Sequence, residues 1–172
     1  MTQSTTRTTT PDERLREPSH SFLDADGERV TIDTATASDA AALRAMYGRF
    51  DPTDRAQGLP PARREERNEW VDTLLAGRSV VARRDGRTVG HAALLESGDG
   101  HELAVFVAPD ARGVGVGTGL LRGLLGAHRS AGGGRVWLAV EPSNRCARAL
   151  YRRFGFDVAE RGRFEITMTR QV

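Results

Sequence analysis

The sequence predicts a mixed α/β fold, with a central mixed sheet of about six or seven strands and about four flanking helices. Three patterns lead to this prediction. Short alternating segments on either side of Asp85-Gly86 indicate an antiparallel hairpin. A strand, a glycine-rich loop, a helix and a second strand follow one another over residues 102–140, which indicates one parallel pair. Two short alternating segments then close the chain.

The length of 172 residues suits one ordinary domain with a sizeable core. Residues 1–26 are rich in Thr, Ser, Pro and charged side chains and contain only isolated apolar residues. Such a segment buries too little apolar surface to offset the entropy of ordering, so we expect a mobile tail there. The single domain is therefore predicted over residues 27–172.

The first half of this domain is expected to contain one strand and two helices. Residues 29–34 alternate between apolar and polar side chains, as a half-buried strand does. Ser38 or Asp39 is placed to cap a helix that carries an apolar stripe. The segment 50–61 contains three prolines and a glycine and is predicted to be a loop, and 62–76 is predicted to be the second helix.

The second half supplies most of the sheet. Helices are predicted at 116–130 and 144–154. Strands are predicted at 79–84, 88–96, 102–107, 135–140, 156–160 and 164–169.

The composition excludes several classes of function. The net charge is only +2, which argues against nucleic acid or an anionic membrane as a partner. All 25 basic residues are arginine, so chemistry that requires a lysine side chain is excluded. Cys146 is the single cysteine and has no partner for a disulfide, and the His and Cys spacing fits no zinc site. With no apolar signal or membrane-spanning segment in the sequence, a soluble cytoplasmic protein without a metal is expected.

The stretch 105–125 carries the chemistry of the chain. It begins as an apolar strand, passes through alternating glycines and becomes a leucine-faced helix. Glycines at 113, 115, 117 and 119 allow backbone N–H groups to approach a ligand closely, and the positive end of the helix dipole lies at the same place. This arrangement predicts a phosphate or pyrophosphate site.

Two familiar phosphate motifs do not fit this loop. A Walker-type P-loop needs Gly-Lys-Ser or Gly-Lys-Thr, and the chain contains no lysine. The dinucleotide fingerprint needs glycines at relative positions one, three and six. No glycine of the loop begins such a series, and the loop also comes late in the chain, after antiparallel strands.

A third motif fits. The loop reads R-x-x-G-x-G over 112–117 and follows V-x-P at 107–109, while N-x-x-A-x-x-L-Y-x-x-F-G-F stands at 144–156. With these motifs in this order, the chain resembles the GNAT superfamily of acyl-CoA-dependent N-acetyltransferases. The resemblance covers residues 30–168, nearly the whole predicted domain.

The resemblance implies a donor site for acetyl-CoA. The strands 102–107 and 135–140 would splay apart, and pantetheine would pair with the backbone of Phe106 and Val107 like an added strand. Asn144 would contact pantetheine, although it could serve only as a helix N-cap. The pyrophosphate would be held by backbone N–H groups of Arg112, Gly113, Val114, Gly115, Val116, Gly117 and Thr118.

The resemblance also places Tyr151 near the sulfur, where its hydroxyl could protonate the leaving thiolate; the alternative is a core tyrosine. A backbone N–H near Val107 would stabilise the oxyanion. Glu102, at the start of the central strand, could accept the proton of the amine or could be an exposed strand-end carboxylate. His101 and Glu141 are weaker candidates for contacts with the amine.

These inferences predict an N-acetyltransferase in which a primary amine attacks the thioester of acetyl-CoA directly. The alternative is a regulatory domain that binds acyl-CoA without turnover. The first two helices and the 50–61 loop would form one wall of the acceptor site, and the acceptor could be a small molecule or a protein amine. The family often dimerises, so a homodimer is allowed, but no segment of the sequence indicates an interface.

Overall fold

The computed structural model of the protein describes residues 10–55 and 59–172. Its strands are β1 His20–Leu23, β2 Arg29–Thr34, β3 Arg78–Arg84, β4 Arg87–Ser97, β5 Gly100–Val107, β6 Arg135–Val140, β7 Asp157–Arg161 and β8 Ile166–Gln171. Its α-helices are α1 Ala40–Tyr47, α2 Arg64–Ala76, α3 Val116–Ser130 and α4 Arg145–Arg153. Short 3-10 turns, Pro52–Asp54 and Pro109–Ala111, precede α2 and α3.

All these strands form one sheet in the order β1-β2-β3-β4-β5-β6-β8-β7. Neighbouring strands are antiparallel except β5 and β6, which are parallel. The predicted mixed α/β fold is confirmed, but the sheet has eight strands where six or seven were expected. In the part of the chain that the structure describes, no helix is long and apolar enough to cross a membrane.

The additional strand comes from the segment that was expected to be a tail. β1 pairs antiparallel with β2, with His20 opposite Ile32, and Leu15 is only 4% exposed in the core. The segment expected to be a mobile tail thus contains a strand and a buried leucine, while residues 1–9 lie outside the described part of the chain. The sequence gives a weak signal here because the apolar residues are isolated and acquire partners only in the tertiary structure.

Small residues on α3 make room for the apolar residues of the N-terminal segment to pack. A Cβ added at Gly119 would lie 2.7 Å from Cζ of Phe22, and one added at Gly126 would lie 2.5 Å from the backbone carbonyl carbon of Arg16. The N–H of Arg16 donates to the carbonyl of Arg122, 3.2 Å away. Because side chains are missing along this face of α3, the backbone of the N-terminal segment can lie directly against the helix.

The substitution Gly126→Ala tests this packing. On an exposed helix face, the change would stabilise the helix by up to about 1 kcal/mol. Here the new methyl group would collide with the backbone of Arg16, so we expect a loss of about 1–3 kcal/mol in the free energy of unfolding. Denaturant unfolding measures the sign, and faster tryptic cleavage after Arg14 and Arg16 would show that the segment has been displaced. A stabilised variant with unchanged cleavage would contradict the packing.

The two faces of the sheet bury different helices. One face packs against α3 and α4, and its core includes Leu120, Leu121, Leu124, Leu125, Val136, Leu138 and Phe156. The other face packs against α1 and α2, with a core that includes Leu43, Met46, Tyr47, Phe50, Val71 and Leu74. Side chains on β5 alternate between these two faces, so consecutive residues of the strand contact opposite halves of the molecule.

The predicted splaying of the parallel pair is also confirmed. In these two fully described strands, β5 and β6 pair only as His101 with Val136 and Glu102 with Trp137. Beyond these pairs the two strands are not paired, which leaves a gap between them that runs toward Val107 at the end of β5. The gap and the glycine loop after β5 therefore open at the same end of the sheet.

Candidate active site

The glycine loop lies between the Pro109–Ala111 turn and the start of α3. Gly115 caps this helix with φ at 106°, in the left-handed region that favours glycine. A Cβ at this position would meet little, since the nearest heavy atom, Cε2 of Phe22, would be 3.9 Å away. Glycine is thus required at 115 by its backbone conformation, and it leaves the space above the helix end open.

The start of α3 offers unpaired donors to this space. The first bond of the helix runs from the N–H of Gly119 to the carbonyl of Gly115, 3.1 Å away. The N–H groups of Val116, Gly117 and Thr118 therefore have no partner within the helix, and none with another described residue outside it. Together with the positive end of the helix dipole, these groups can bind an anion.

The N-terminal segment supports this loop, which the sequence did not reveal. The N–H of Ala25 donates to the carbonyl of Val114, 3.0 Å away, and Phe22 of β1 lies beside Gly115 and Gly119. The only signal for this role was the short apolar run at 22–23, before the polar residues at 24–28. The predicted tail is thus part of the scaffold of the candidate site.

The edge of β5 presents backbone groups to the gap between β5 and β6. The N–H of Ala108 donates to the carbonyl of Val89 at 2.8 Å, and Phe106 is opposite His91 in the antiparallel register. In an antiparallel pair, every second residue of a strand forms its backbone hydrogen bonds with the neighbouring strand. Phe106 is two residues before Ala108, so its backbone also faces β4. The N–H and carbonyl of Val105 and the N–H of Val107 point into the gap, while the carbonyl of Val107 accepts from Nε of Arg112. Of the two expected edge residues, Val107 is thus the one that offers its backbone to the gap.

The side chain of Arg112 is engaged with the protein. Its Nη1 donates to Oδ1 of Asp54 at 2.7 Å, and its Nε donates to the carbonyl of Val107 at 3.1 Å. The guanidinium also lies over the ring of Phe50, 5.5 Å from the centroid. These contacts engage Nε, Nη1 and one face of the guanidinium with other residues of the protein.

The helix α4 approaches the loop from the other side of the gap. A Cβ at Gly117 would lie 3.3 Å from Cδ2 of Leu150 and 3.8 Å from Cγ2 of Val107, so the loop, α4 and the end of β5 meet there. Asn144 caps α4, and its Oδ1 accepts from the N–H of Ala147 at 3.1 Å. Asn144 is exposed, and its side-chain N–H donors have no hydrogen-bond partner among the described residues.

Tyr151 follows Leu150 on α4 and is half-buried. Its ring packs edge-on against Phe156, with centroids 5.9 Å apart. Burial raises the pKa of the Tyr151 hydroxyl to about 12, so the group keeps its proton at neutral pH. The structure gives this hydroxyl no hydrogen-bond partner among the described residues, which leaves it able to donate to a ligand.

Glu102 lies at the closed end of the gap, where it is paired in register with Trp137. Its side chain is on the same face as Phe106 by strand alternation, toward α1 and α2. His101 faces the opposite side, where its ring lies 4.7 Å from that of His128 on α3. The structure therefore separates His101 from Glu102, in agreement with the expectation from alternation.

The remaining candidates are simpler. Cys146 is exposed on α4 with a free thiol. Within the described ranges 10–55 and 59–172, no group of three or more His, Cys, Asp or Glu side chains could hold a metal ion.

A buried histidine on β4 was not identified from the sequence. His91 is fully buried, and its Nδ1 is 2.9 Å from the hydroxyl of Tyr47. Its Nε2 has no partner among the described atoms. The Tyr47 ring contacts Trp70 and Phe106 at centroid distances of 4.8 and 5.6 Å, so this pair supports an aromatic wall beside the gap. Sequence alternation gave no sign that a histidine on β4 faces α1.

Burial lowers the pKa of His91 to about 4, although Asp39 raises it in part. The unfolded chain, with a histidine pKa of about 6.5, binds the proton first, so stability is lost as the pH falls from 6.5 toward 4. Between pH 7 and 5 we expect a loss of about 2 kcal/mol from this residue.

The double variant Tyr47→Phe, His91→Leu removes both polar partners together and should show a flatter pH dependence in denaturant unfolding. His128, whose pKa is also lowered by burial, contributes equally to both proteins. Equal slopes for the wild type and the double variant would contradict the assignment of a neutral His91.

Comparison with known proteins agrees with this geometry. Residues 40–156 match the model of the acetyltransferase (GNAT) family. An uncharacterized N-acetyltransferase of Mycobacterium tuberculosis is 35% identical over 81 residues, which are 46% of this chain and 52% of the relative. The chain thus spans about half the length of the curated relatives of this kind that it matches.

Solved structures share the fold. The GNAT domain of S. lividans PAT superposes with a TM-score of 0.78 at 16% identity, over 90% of this chain and 97% of that domain. The PaiA N-acetyltransferase of Thermoplasma acidophilum, solved in complex with coenzyme A, has a TM-score of 0.64 at 16% identity, over 83% of this chain and 99% of its own.

Proposed function

The chain belongs to the acetyltransferase (GNAT) family, and from this premise we propose that it transfers the acetyl group of acetyl-CoA to a primary amine. The observation that carries the proposal is the alignment of two sets of unpaired backbone groups. Donors at the start of α3 lie at the open end of the gap, and the β5 edge runs from there toward Glu102. An extended ligand with a charged pyrophosphate and an amide-containing arm fits this arrangement.

The residues that would bind the donor follow from these groups. The N–H groups of Val116, Gly117 and Thr118, with the loop before them, would bind the pyrophosphate. The N–H and carbonyl of Val105 and the N–H of Val107 would pair with the pantetheine amides as a neighbouring strand does. The amide of Asn144 would contact the same arm from α4. The thioester would then lie along the β5 edge, between Val107 and Glu102.

Catalysis would require three proton transfers. An amine of the lysine type has a pKa of about 10.4 and must lose a proton before it can attack. Glu102 faces the side of α1 and α2, where the acceptor wall is expected, and would take this proton directly or through water. A backbone N–H of the β5 edge near Val107 would stabilise the developing oxyanion. As the bond from carbon to sulfur breaks, Tyr151 would give its hydroxyl proton to the leaving thiolate, and the second proton of the amine nitrogen would pass through water to restore the hydroxyl of Tyr151.

The experiment is thiol release from acetyl-CoA in the presence of a panel of primary amines, combined with calorimetric binding of acetyl-CoA. We expect binding without an amine and faster thiol release with at least one amine, whose acetylated product mass spectrometry identifies. Binding with no amine-dependent release would favour a regulatory domain that senses acyl-CoA. Absence of binding would overturn the donor site itself.

A further inference from the structure

The guanidinium of Arg112 joins the glycine loop and the end of β5 to the 50–54 segment, which is distant in sequence. The backbone of Arg112 opens the glycine loop, and its Nε bonds to the carbonyl of Val107, at the end of β5. Its Nη1 bonds to Asp54, 58 residues earlier in the chain, and its face lies over Phe50. The side chain thus spans the Pro109–Ala111 turn and connects both ends of that turn to the segment before α2.

Asp54 is fixed by both of its carboxylate oxygens. Oδ2 accepts from the N–H of Asp51 at 3.0 Å and closes the Pro52–Asp54 turn, while Oδ1 accepts from Arg112. The side chain is only 16% exposed. The hydrogen bond from Asp51, together with the bond and the charge of Arg112, lowers the pKa of Asp54, so the carboxylate is ionised at neutral pH. Arg112 therefore meets a charged and rigid acceptor.

We propose that Asp54 is a positioning residue for the acyl-CoA site, which holds Arg112 so that the glycine loop is already shaped to bind the pyrophosphate. The inference rests on the proposed function, because it assigns a role in binding the same donor. When the guanidinium is held against Val107 and Phe50, the backbone position of Arg112, the residue at which the loop starts, is held as well. Backbone donors that are ordered before binding lose less entropy when the ligand arrives.

The sign of the effect distinguishes this role from simple electrostatics. A carboxylate near a polyanion repels it, so by charge alone the removal of Asp54 should tighten acetyl-CoA binding. A positioning role predicts the opposite change. We expect Asp54→Ala to weaken acetyl-CoA binding by about tenfold, the size of one lost charge-assisted hydrogen bond. Asp54→Asn, which keeps an acceptor oxygen, should fall between this variant and the wild type.

The control is Asp110→Ala. Asp110 lies in the turn just before the loop and pairs with Arg87, and it forms no hydrogen bond or ion pair with Arg112 in the described structure. The substitution Asp110→Ala removes the same charge near the same site, so we expect unchanged or tighter binding of acetyl-CoA. Calorimetry measures all affinities at one ionic strength, and thermal unfolding checks that each variant is folded.

A double-mutant cycle tests the coupling directly. In an Arg112→Ala background, where Asp54 has nothing to hold, adding Asp54→Ala should change the affinity by less than about twofold. Equal or tighter binding by both Asp54→Ala and Asp54→Asn, or a full additional loss in the Arg112→Ala background, would overturn the inference. If Asp54→Ala does not fold, Asp54→Asn decides by the same sign. Wild-type protein that fails to bind acetyl-CoA would instead overturn the proposed function.

Discussion

Replacing Gly115 by Glu is expected to abolish acetyl-CoA binding while the protein stays folded and soluble. Glycine at this position has φ at 106° and leaves the space over the start of α3 open. A glutamate side chain would enter that space and bring a negative charge to the site that should receive the pyrophosphate. We expect affinity to fall by at least about 100-fold, because steric exclusion and charge repulsion act together. Calorimetry with acetyl-CoA measures the change.

Backbone strain at Gly115 needs a matched control, and the chain offers Gly132. Gly132 has the same φ of 106°, nothing lies within 4 Å of an added Cβ, and it follows the opposite end of α3. Gly132→Glu should therefore cause a similar strain of about 1–2 kcal/mol and bind acetyl-CoA normally. Retained binding by a folded Gly115→Glu variant would contradict the placement of the pyrophosphate at this loop.

Replacing Tyr151 by Phe is expected to lower kcat by about 100-fold or more, with acetyl-CoA affinity almost unchanged. The substitution keeps the ring contact with Phe156 and removes only the hydroxyl. A positioned acid commonly contributes a factor of about 100 to 10,000 in rate, so loss of the Tyr151 hydroxyl alone is sufficient for the expected decrease in kcat. Amine-dependent thiol release at saturating substrates measures kcat, and calorimetry measures donor affinity. A kcat within a few-fold of the wild type would leave Tyr151 as a core residue.

The other tyrosine serves as the control. Tyr47 is 1% exposed and bonds to His91, so Tyr47→Phe should lower stability and leave kcat within a few-fold of the wild type. The pH dependence adds a second check on Tyr151. Because burial raises its pKa to about 12, the neutral hydroxyl persists as the pH rises, and activity should not fall through its ionisation between pH 7 and about 10. A loss of kcat centred near pH 9 and absent from Tyr151→Phe would contradict a raised pKa.

Local patterns were sufficient where a feature depends on neighbouring residues. The helix predicted at 116–130 and the strands predicted at 29–34 and 135–140 are found with those bounds. Each is set by alternation, helical periodicity or glycine punctuation over a few residues. The left-handed Gly115 and the unpaired N–H groups after it follow from the same local rule, which is why the anion site could be expected before the fold was known.

The features that the sequence did not reveal depend on contacts between distant segments. Leu15 and Phe22 are isolated apolar residues in the sequence. They pack into the core because α3 has glycines, and not larger side chains, on the face beside the N-terminal segment. Arg112 was expected to act at the loop, but its pairing with Asp54 required the Pro52–Asp54 turn to lie beside the end of β5. Helix and strand periodicity carry no information on such pairings.

The sequence by itself therefore determined the mixed α/β fold, the glycine loop, the splayed pair and the resemblance to an acyl-CoA-dependent family. The tertiary structure alone decided that the N-terminal segment supports the loop, that His91 lies buried under an aromatic wall, and that Val107, and not Phe106, presents its backbone N–H to the gap. The physical reason is that backbone conformation and unpaired N–H groups are local properties. Burial, pKa and ion pairing instead depend on which residues the whole fold brings together.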